Sequence, residues 1–425
     1  MHKNAPAWIG WLMWGLVANL YLIGFFQRVA PAVMVDELMR EFSLDGALLG
    51  NLSATYFYAY AAMQVPSGLL ADAIGPRRLS AGAAMVAAIG ILLFGMATSL
   101  WTAYFGRFLV GASVAVAFVA CMKLAGHWFP TNRFAMVTGV ALLFGNLGGV
   151  LAGVPLSEAV AAVGWRAAMA VSAVVTFGGA VAIWLFVRDD PRERGYRSHA
   201  HASVVEAGSL PPGQALKSVI AERDTWLLSC AGGLSAAPVL VFAGLWGVPY
   251  LTQVYGFERS QAAVLTSTML VAWAIGGPTL GALSDRLGRR KAPYLTANLL
   301  NVVLWGLFLF VGVPRSLLYP LFAAIGFTSG ALIIGFAFAR EANHPGAAGA
   351  VGGVVNMSVM GVAAILQPVL GVILDRRWEG SIVAGARIYS SSAYTAAFFW
   401  LFVCTAASAV AVILTRETFC RLRIS

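Results

Sequence analysis

Two arginines lie within long apolar stretches of the chain, where a charged side chain is costly to bury. Arg28 lies about six residues past the middle of the first stretch, and Arg107 about six residues before the middle of the fourth. If each apolar stretch crosses a membrane once, the first and the fourth run in opposite directions. Both arginines then fall at one depth, roughly 9 Å from the membrane centre. A guanidinium is always charged, and its planar donors match a carboxylate or a phosphate. With no Asp or Glu near mid-depth, the pair indicates binding of an anionic solute.

Arg107 also has a second interpretation. It could pair with backbone carbonyls, or with the acidic residues that follow the first stretch, and so act as part of a gate. Those acids are Asp36, Glu37, Glu41 and Asp45.

Polar and aromatic side chains in other stretches could complete the binding site. Tyr56, Tyr60 and Gln64 are four residues apart, which places them on one face of a helix. The remaining candidates are Asn146, Trp246, Tyr250 and Asn356. Since Tyr and Trp also favour the membrane–water interface, Trp246 and Tyr250 could instead be interfacial residues.

The composition requires a membrane. Of the 425 residues 60% are hydrophobic and 11% are charged, whereas about a quarter are charged in ordinary globular proteins. A spanning helix takes about 20 apolar residues. We number the predicted spans 1 to 12; they cover residues 9–35, 47–72, 79–99, 101–126, 134–158, 167–187, 225–254, 261–284, 292–312, 316–339, 347–374 and 391–415.

These spans predict an all-α membrane protein with twelve transmembrane helices in two pseudo-symmetric six-helix bundles. The N-terminal bundle covers 1–187, a cytoplasmic linker covers 188–223, and the C-terminal bundle covers 224–425. Most lysines and arginines outside the spans fall on the side that carries both chain ends. The positive-inside rule therefore places both termini in the cytoplasm.

One loop sequence occurs twice, at the same point of each half. Gly68-Leu-Leu-Ala-Asp72-Ala-Ile-Gly75-Pro-Arg77-Arg78 recurs as Gly281-Ala-Leu-Ser-Asp285-Arg286-Leu-Gly288-Arg289-Arg290. Each copy contains an acid that could lie near a helix N-terminus and pair with an arginine. Gly75 and Gly288 would allow the tight turn. Internal repetition in an apolar chain is typical of alternating-access transporters.

This loop pattern, G-x-L-a-D-r-x-G-r-r, resembles the signature of the major facilitator superfamily, and Arg107-Phe-Leu-Val-Gly111 resembles a second pattern of that family. The second loop copy is in register, whereas the first has Ala73 and Pro76 where the pattern prefers basic residues. The resemblance covers essentially the whole chain.

The resemblance has several implications for function. Helices 1 and 4 would line a central cavity, as in the anion:cation symporter branch, whose arginines on these helices bind carboxylates. The repeated loops would be gates. Their members are Gly68, Asp72, Gly75, Arg77, Arg78, Gly281, Asp285, Arg286, Gly288, Arg289 and Arg290.

We therefore predict a gradient-driven transporter of a small organic solute, a carboxylate-bearing anion in the first place. Amino acid or dipeptide transport, efflux of amphiphilic compounds, and a transporter-like sensor are the alternatives. No phosphate-binding loop, zinc motif or nucleophile motif is present, so we expect neither an enzyme nor an ATP-driven pump.

The expected partners are the substrate, the lipid bilayer of a bacterial inner membrane and a coupling proton or other ion. Because the positive-inside rule accounts for the net charge of +10, no nucleic acid is expected. We expect no cofactor or metal, and a monomer.

Overall fold

A computed structural model describes residues 5–130, 133–199 and 212–421. The rest of the predicted linker, 200–211, lies outside this description, as do the side chains of Val65, Leu69, Asp72, Phe134, Ala135 and Pro212.

In the described residues, eleven segments are long and apolar enough to cross a membrane. They are Ala7–Val33, Pro76–Gly95, Leu100–Trp128, Met136–Val163, Trp165–Phe186, Arg223–Gln253, Arg259–Leu287, Lys291–Gly312, Arg315–Glu341, Pro345–Arg376 and Ser391–Leu414. At the position of span 2, two helices, Gly46–Ala62 and Gln64–Ile74, meet at Met63. This arrangement confirms the predicted helical membrane fold, and the span numbers are kept below.

Short elements join or interrupt the spans. Helix Val35–Phe42 follows span 1, Pro191–Arg194 and Pro212–Ala221 lie between spans 6 and 7, and strands Ile382–Val383 and Ala386–Arg387 pair between spans 11 and 12. The interrupted spans consist of Ala7–Val29 and Ala30–Val33 (span 1), Leu100–Val114 and Ala117–Trp128 (span 4), Phe134–Leu151 and Val154–Val163 (span 5), Arg223–Val241, Phe242–Trp246 and Gly247–Gln253 (span 7), Lys291–Leu307 and Phe308–Gly312 (span 9), Arg315–Ser329 and Leu332–Glu341 (span 10), and Pro345–Ala347 and Ala348–Arg376 (span 11).

The duplication is visible in how the helices break and pack. Spans 4 and 10 each begin with a helix of 15 residues, Leu100–Val114 and Arg315–Ser329, followed by a break and a second helix. Within these helices Gly111 packs on the carbonyl of Tyr56, and Gly326 packs on the carbonyl of Met269. A Cβ at either glycine would collide with that carbonyl. The same close approach between helices thus occurs once in each half.

We call the membrane face that carries both chain ends the inner face, and the opposite face the outer face. In the described residues, hydrogen bonds between the halves lie at the outer ends of the spans and near mid-depth. At the outer ends, Arg259 of span 8 donates to Glu37 at 2.6 Å, and Asp375 of span 11 accepts from the first turn of span 2. At mid-depth, Asn356 donates to Gln64 at 2.6 Å. The outer ends of the two halves are therefore joined in this structure.

Candidate functional site

Arg28 lies near the outer end of span 1, and its side chain is surrounded by aromatic rings. The residue is 3% exposed. Its guanidinium carbon lies 4.2 Å from the ring centre of Phe25 and 5.2 Å from that of Tyr60, with Tyr56 and Phe57 at 5.8 and 5.9 Å. In the described part of the chain no carboxylate forms an ion pair with it. Arg28 is thus a buried cation that aromatic faces stabilise but do not neutralise.

The helices fix Tyr56 and Tyr60 beside Arg28. The Tyr56 hydroxyl donates to the carbonyl of Gly24 at 2.9 Å, and Gly111 packs against the Tyr56 backbone. The rings of Tyr56 and Tyr60 stack with centres 6.0 Å apart, so the two residues share one face of the helix, as their four-residue spacing predicts. Spans 2 and 4 therefore hold the rings of Tyr56 and Tyr60 against span 1.

Arg107 is close to the same rings but has different partners. It is 1% exposed and donates to the carbonyls of Gln27 at 2.6 Å and Ser53 at 3.3 Å. Its guanidinium carbon lies 5.2 Å from the ring centre of Tyr56. Arg107 thus joins spans 1, 2 and 4 through backbone carbonyls, which is one of the two arrangements expected from the sequence.

Gln64 and Asn356 meet between the two halves. Besides accepting from Asn356, Gln64 donates to the carbonyl of Tyr60 at 3.3 Å, and both side chains are half-buried. The stripe of Tyr56, Tyr60 and Gln64 therefore runs from Arg28 to a polar contact with the C-terminal half.

In the described residues, no hydrogen bond or ring contact joins the other three sequence candidates to Arg28, Tyr56 or Tyr60. Asn146 is half-buried and donates to Leu142 of its own helix at 2.8 Å. Trp246 is fully buried and donates to the carbonyl of Gln367 at 3.1 Å. Tyr250 is buried among rings of the C-terminal half, including Phe308 at 5.6 Å. Trp246 and Tyr250 thus belong to the interior of that half.

Sequence reasoning missed Gln367 as a site residue. Its side chain is 0% exposed, and neither the amide nitrogen nor the amide oxygen has a hydrogen-bond partner. A Cβ added at Gly244 would lie 3.7 Å from that nitrogen and 4.0 Å from the carbonyl oxygen of Arg28. Because an unpartnered buried amide is costly, we treat Gln367 as a candidate for contact with a ligand. In the sequence, an amide side chain within an apolar span was the signal that could have identified Gln367.

The first loop copy is held by an acid from the end of span 6. Gly75 has a φ of +79°, so the predicted tight turn is present. Asp189 accepts from the backbone N–H of Arg77 at 2.6 Å, and the Arg77 guanidinium donates to the carbonyl of Trp184. Burial raises the pKa of Asp189, and the N–H of Arg77 opposes that rise. The predicted pairing of Asp72 lies outside the described side chains.

The second copy contains a denser network. Arg290 donates to Asp285 at 2.6 Å and to Glu341 at 2.8 Å, and Gly288 has a φ of +61°. Burial lowers the pKa of Arg290. Hydrogen bonds to Glu341 and Asp285 outweigh that effect and raise the pKa above its usual value. Glu417, beyond span 12, accepts from the backbone N–H groups of Arg290 at 2.9 Å and Lys291 at 3.0 Å.

Each loop is therefore held within its own half by an acid that follows the last span of that half. Asp189 lies three residues after Phe186, and Glu417 three residues after Leu414. The sequences Arg188-Asp189 and Arg416-Glu417 were a second repeat that could have revealed them. Of the other loop residues, Gly68 and Gly281 lie within helices, and Arg78, Arg286 and Arg289 are exposed.

Replacing Glu417 with glutamine should destabilise the C-terminal half, because the carboxylate caps the first turn of span 9. We expect a loss of about 1–2 kcal/mol, seen as an apparent melting temperature lower by a few degrees in detergent. Glu379→Gln, at an exposed acid on the outer face, is the matched control. Equal melting temperatures for the two variants would contradict the capping role.

A chain of helical spans in two repeated halves, with an unneutralised arginine inside, defines a membrane transporter of the alternating-access class. The profile of the Major Facilitator Superfamily matches residues 17–368, and the chain belongs to this family. The family resemblance and the absence of enzyme function predicted from the sequence are confirmed.

Similar proteins include transporters named for organic anions. A probable sulfoacetate transporter of Cupriavidus necator is 28% identical, over 85% of this chain and 86% of its own length. A hexuronate transporter of Escherichia coli K12 is 27% identical over 66% of each chain. Among solved structures, a bacterial homologue of the human lysosomal transporter Spinster, inward-facing and unoccupied, matches with a TM-score of 0.76 and 17% identity, over 98% of this chain and 99% of that chain.

Proposed function

We propose that the protein is a gradient-driven transporter that moves a small organic anion bearing a carboxylate across a bacterial inner membrane. The observation that carries this proposal is the Arg28 guanidinium, buried among four aromatic rings with no acidic partner in the described residues. The names of the relatives agree with it, because sulfoacetate and hexuronates are organic anions.

In this proposal the substrate supplies the charge that Arg28 lacks. A buried cation attracts an anion strongly because the surrounding medium screens it weakly. The planar guanidinium donates two parallel hydrogen bonds to one carboxylate. Tyr60 and Gln64, farther along the same face, are placed to contact hydroxyl groups of a longer anion.

Arg107 has a supporting role in the proposed mechanism. Its donors are engaged by the carbonyls of Gln27 and Ser53, and it holds the ring of Tyr56 that flanks Arg28. We therefore assign Arg107 to positioning, and Arg28 with Tyr56, Tyr60, Gln64, Gln367 and Asn356 to the substrate. Asn146, Trp246 and Tyr250 would act on the substrate only if the site extends towards the inner half of span 5 or into the C-terminal half.

Transport would proceed by rocking of the halves 1–187 and 224–425, with the linker and both termini in the cytoplasm. The repeated loops would be gates that connect the halves when the inner ends close. Because the spans carry no acid near mid-depth, the driving ion would bind elsewhere, enter on the substrate's own carboxyl, or be replaced by exchange of a second anion. We expect the monomer to be the working unit.

Counterflow in proteoliposomes tests the substrate class. Sulfoacetate, galacturonate, glucuronate and glucose 6-phosphate would be compared with alanine, a dipeptide and a lipophilic cation. We expect accumulation of at least one of the three carboxylates, sulfoacetate, galacturonate or glucuronate, and of none of the other compounds. Accumulation of only glucose 6-phosphate, alanine, the dipeptide or the cation would show that the proposed class is wrong, and binding without any counterflow would favour a sensor.

A further inference from the structure

One carboxylate joins the outer ends of spans 2 and 11, which belong to different halves. Asp375, near the end of span 11, accepts hydrogen bonds from the backbone N–H groups of Gly46 at 2.9 Å and Ala47 at 2.7 Å. These residues begin span 2. The first N–H groups of a helix have no partner within it and carry a partial positive charge. Asp375 therefore acts as a helix cap for the other half.

The C-terminal half holds this carboxylate in position. Oδ1 of Asp375, which accepts from Gly46, also accepts from the Tyr389 hydroxyl at 2.7 Å and from the Arg387 guanidinium at 3.1 Å. Asp45 caps only the next N–H group of span 2, that of Leu48, at 2.8 Å. The first two donors of span 2 thus depend on the opposite half.

Glycines allow the two helices to come close enough for this cap. Gly371 lies one turn before Asp375, and a Cβ there would collide with the carbonyl of Gly46. A Cβ at Gly50 would lie 2.6 Å from the carbonyl oxygen of Gln367. The spacing Gly371-x-x-x-Asp375-Arg376 equals that of Gly281-x-x-x-Asp285-Arg286 in the second loop. The glycine–acid element of the inner loops thus has a further copy at the outer face.

We propose that Asp375 is the outer gate residue of the transporter. Its carboxylate caps span 2 when the outer ends are joined, and it must leave the Gly46 and Ala47 N–H groups to water each time the outer ends separate. The residue at position 375 therefore sets the balance between the joined and separated states. This inference rests on alternating access and is independent of the substrate's identity.

Distances between spin labels test the gate without any substrate. Met96 and Ile382 are exposed residues at the outer face, one in each half, and would be labelled as cysteines after replacement of the four native cysteines. In lipid nanodiscs the parent should show mainly the short, joined distance. Asp375→Asn should raise the ratio of separated to joined molecules about tenfold, the order expected for losing charged hydrogen bonds. Asp375→Glu should recover part of the joined population.

Two further variants make the outcome decisive. Glu379→Gln removes an acid from the exposed loop that follows span 11 and should leave the distances unchanged. Gly371→Ala keeps the carboxylate but prevents the close approach, so it should also favour separation. If Asp375→Asn gives the parent's distance distribution, Asp375 is not the gate, even if Gly371→Ala favours separation by collision with the Gly46 carbonyl. That result would leave the counterflow test of the anion untouched, and a negative counterflow test would leave the distances untouched.

Discussion

Arg28→Ala is expected to reduce counterflow of the best anionic substrate by about a hundredfold or more, because losing one partner of a buried charge pair costs about 2–5 kcal/mol. Arg28→Lys keeps the charge but loses the planar pair of donors. We expect it to fall between the parent and the alanine variant, with the loss mainly in apparent affinity. Initial rates over a range of external anion concentrations would measure both effects.

The stability of the Arg28 variants provides an independent check. Arg28 is a buried cation without an acidic partner among the described residues, so the empty protein bears the cost of its desolvation. Relief of this cost should offset the loss of ring contacts and the space left by the side chain, so Arg28→Ala should melt close to the parent's temperature while abolishing the stabilisation that the anion gives the parent. Arg192→Ala, at an arginine whose side chain is 69% exposed, should alter neither transport nor stability. Transport at the parent's rate by Arg28→Ala would refute the anion site.

The two halves repeat each other in packing but not in charge. Gly111 and Gly326 are 215 residues apart. With the same offset, Phe322 of span 10 is the repeat equivalent of Arg107 of span 4. Phe322 is fully buried and contacts Phe242 and Phe308. The N-terminal half thus holds both buried arginines of the candidate site, and the C-terminal half holds an aromatic interior.

Features that depend on hydropathy and on internal repetition could be predicted from the sequence. Spans, halves and the shared depth of Arg28 and Arg107 follow from the length of apolar stretches and the rise of a helix. The shared helix face of Tyr56 and Tyr60 follows from a four-residue spacing. These features need no knowledge of which helix packs on which.

Contacts between distant segments could not be predicted in this way. Asp375 and Gly46 are 329 residues apart, and Glu417 caps a turn that begins 127 residues earlier. Whether Arg107 points to carbonyls or to a cavity depends on the rotation of span 4 about its axis. Because apolar residues occur on all sides of this span, its hydropathy pattern does not define that rotation.

Arg107→Ala should have the opposite signature to Arg28→Ala. It removes the donors to the carbonyls of Gln27 and Ser53 and leaves space beneath the Tyr56 ring, so spans 1, 2 and 4 lose a common contact. We expect a loss of roughly 2–4 kcal/mol. For a bundle of this size that lowers the melting temperature by about 5–10 °C.

Transport by Arg107→Ala should decrease because less protein is folded and because Tyr56 is displaced. The apparent affinity of the molecules that remain folded should change little. Arg107→Met, which fills much of the space without donors, should recover part of the stability but not the hydrogen bonds. Melting curves, together with rates normalised to folded protein, separate these effects. If Arg107→Ala instead melts at the parent's temperature and weakens anion affinity as strongly as Arg28→Ala, then Arg107 binds the substrate. In that case its carbonyl bonds must exchange for the anion during the cycle.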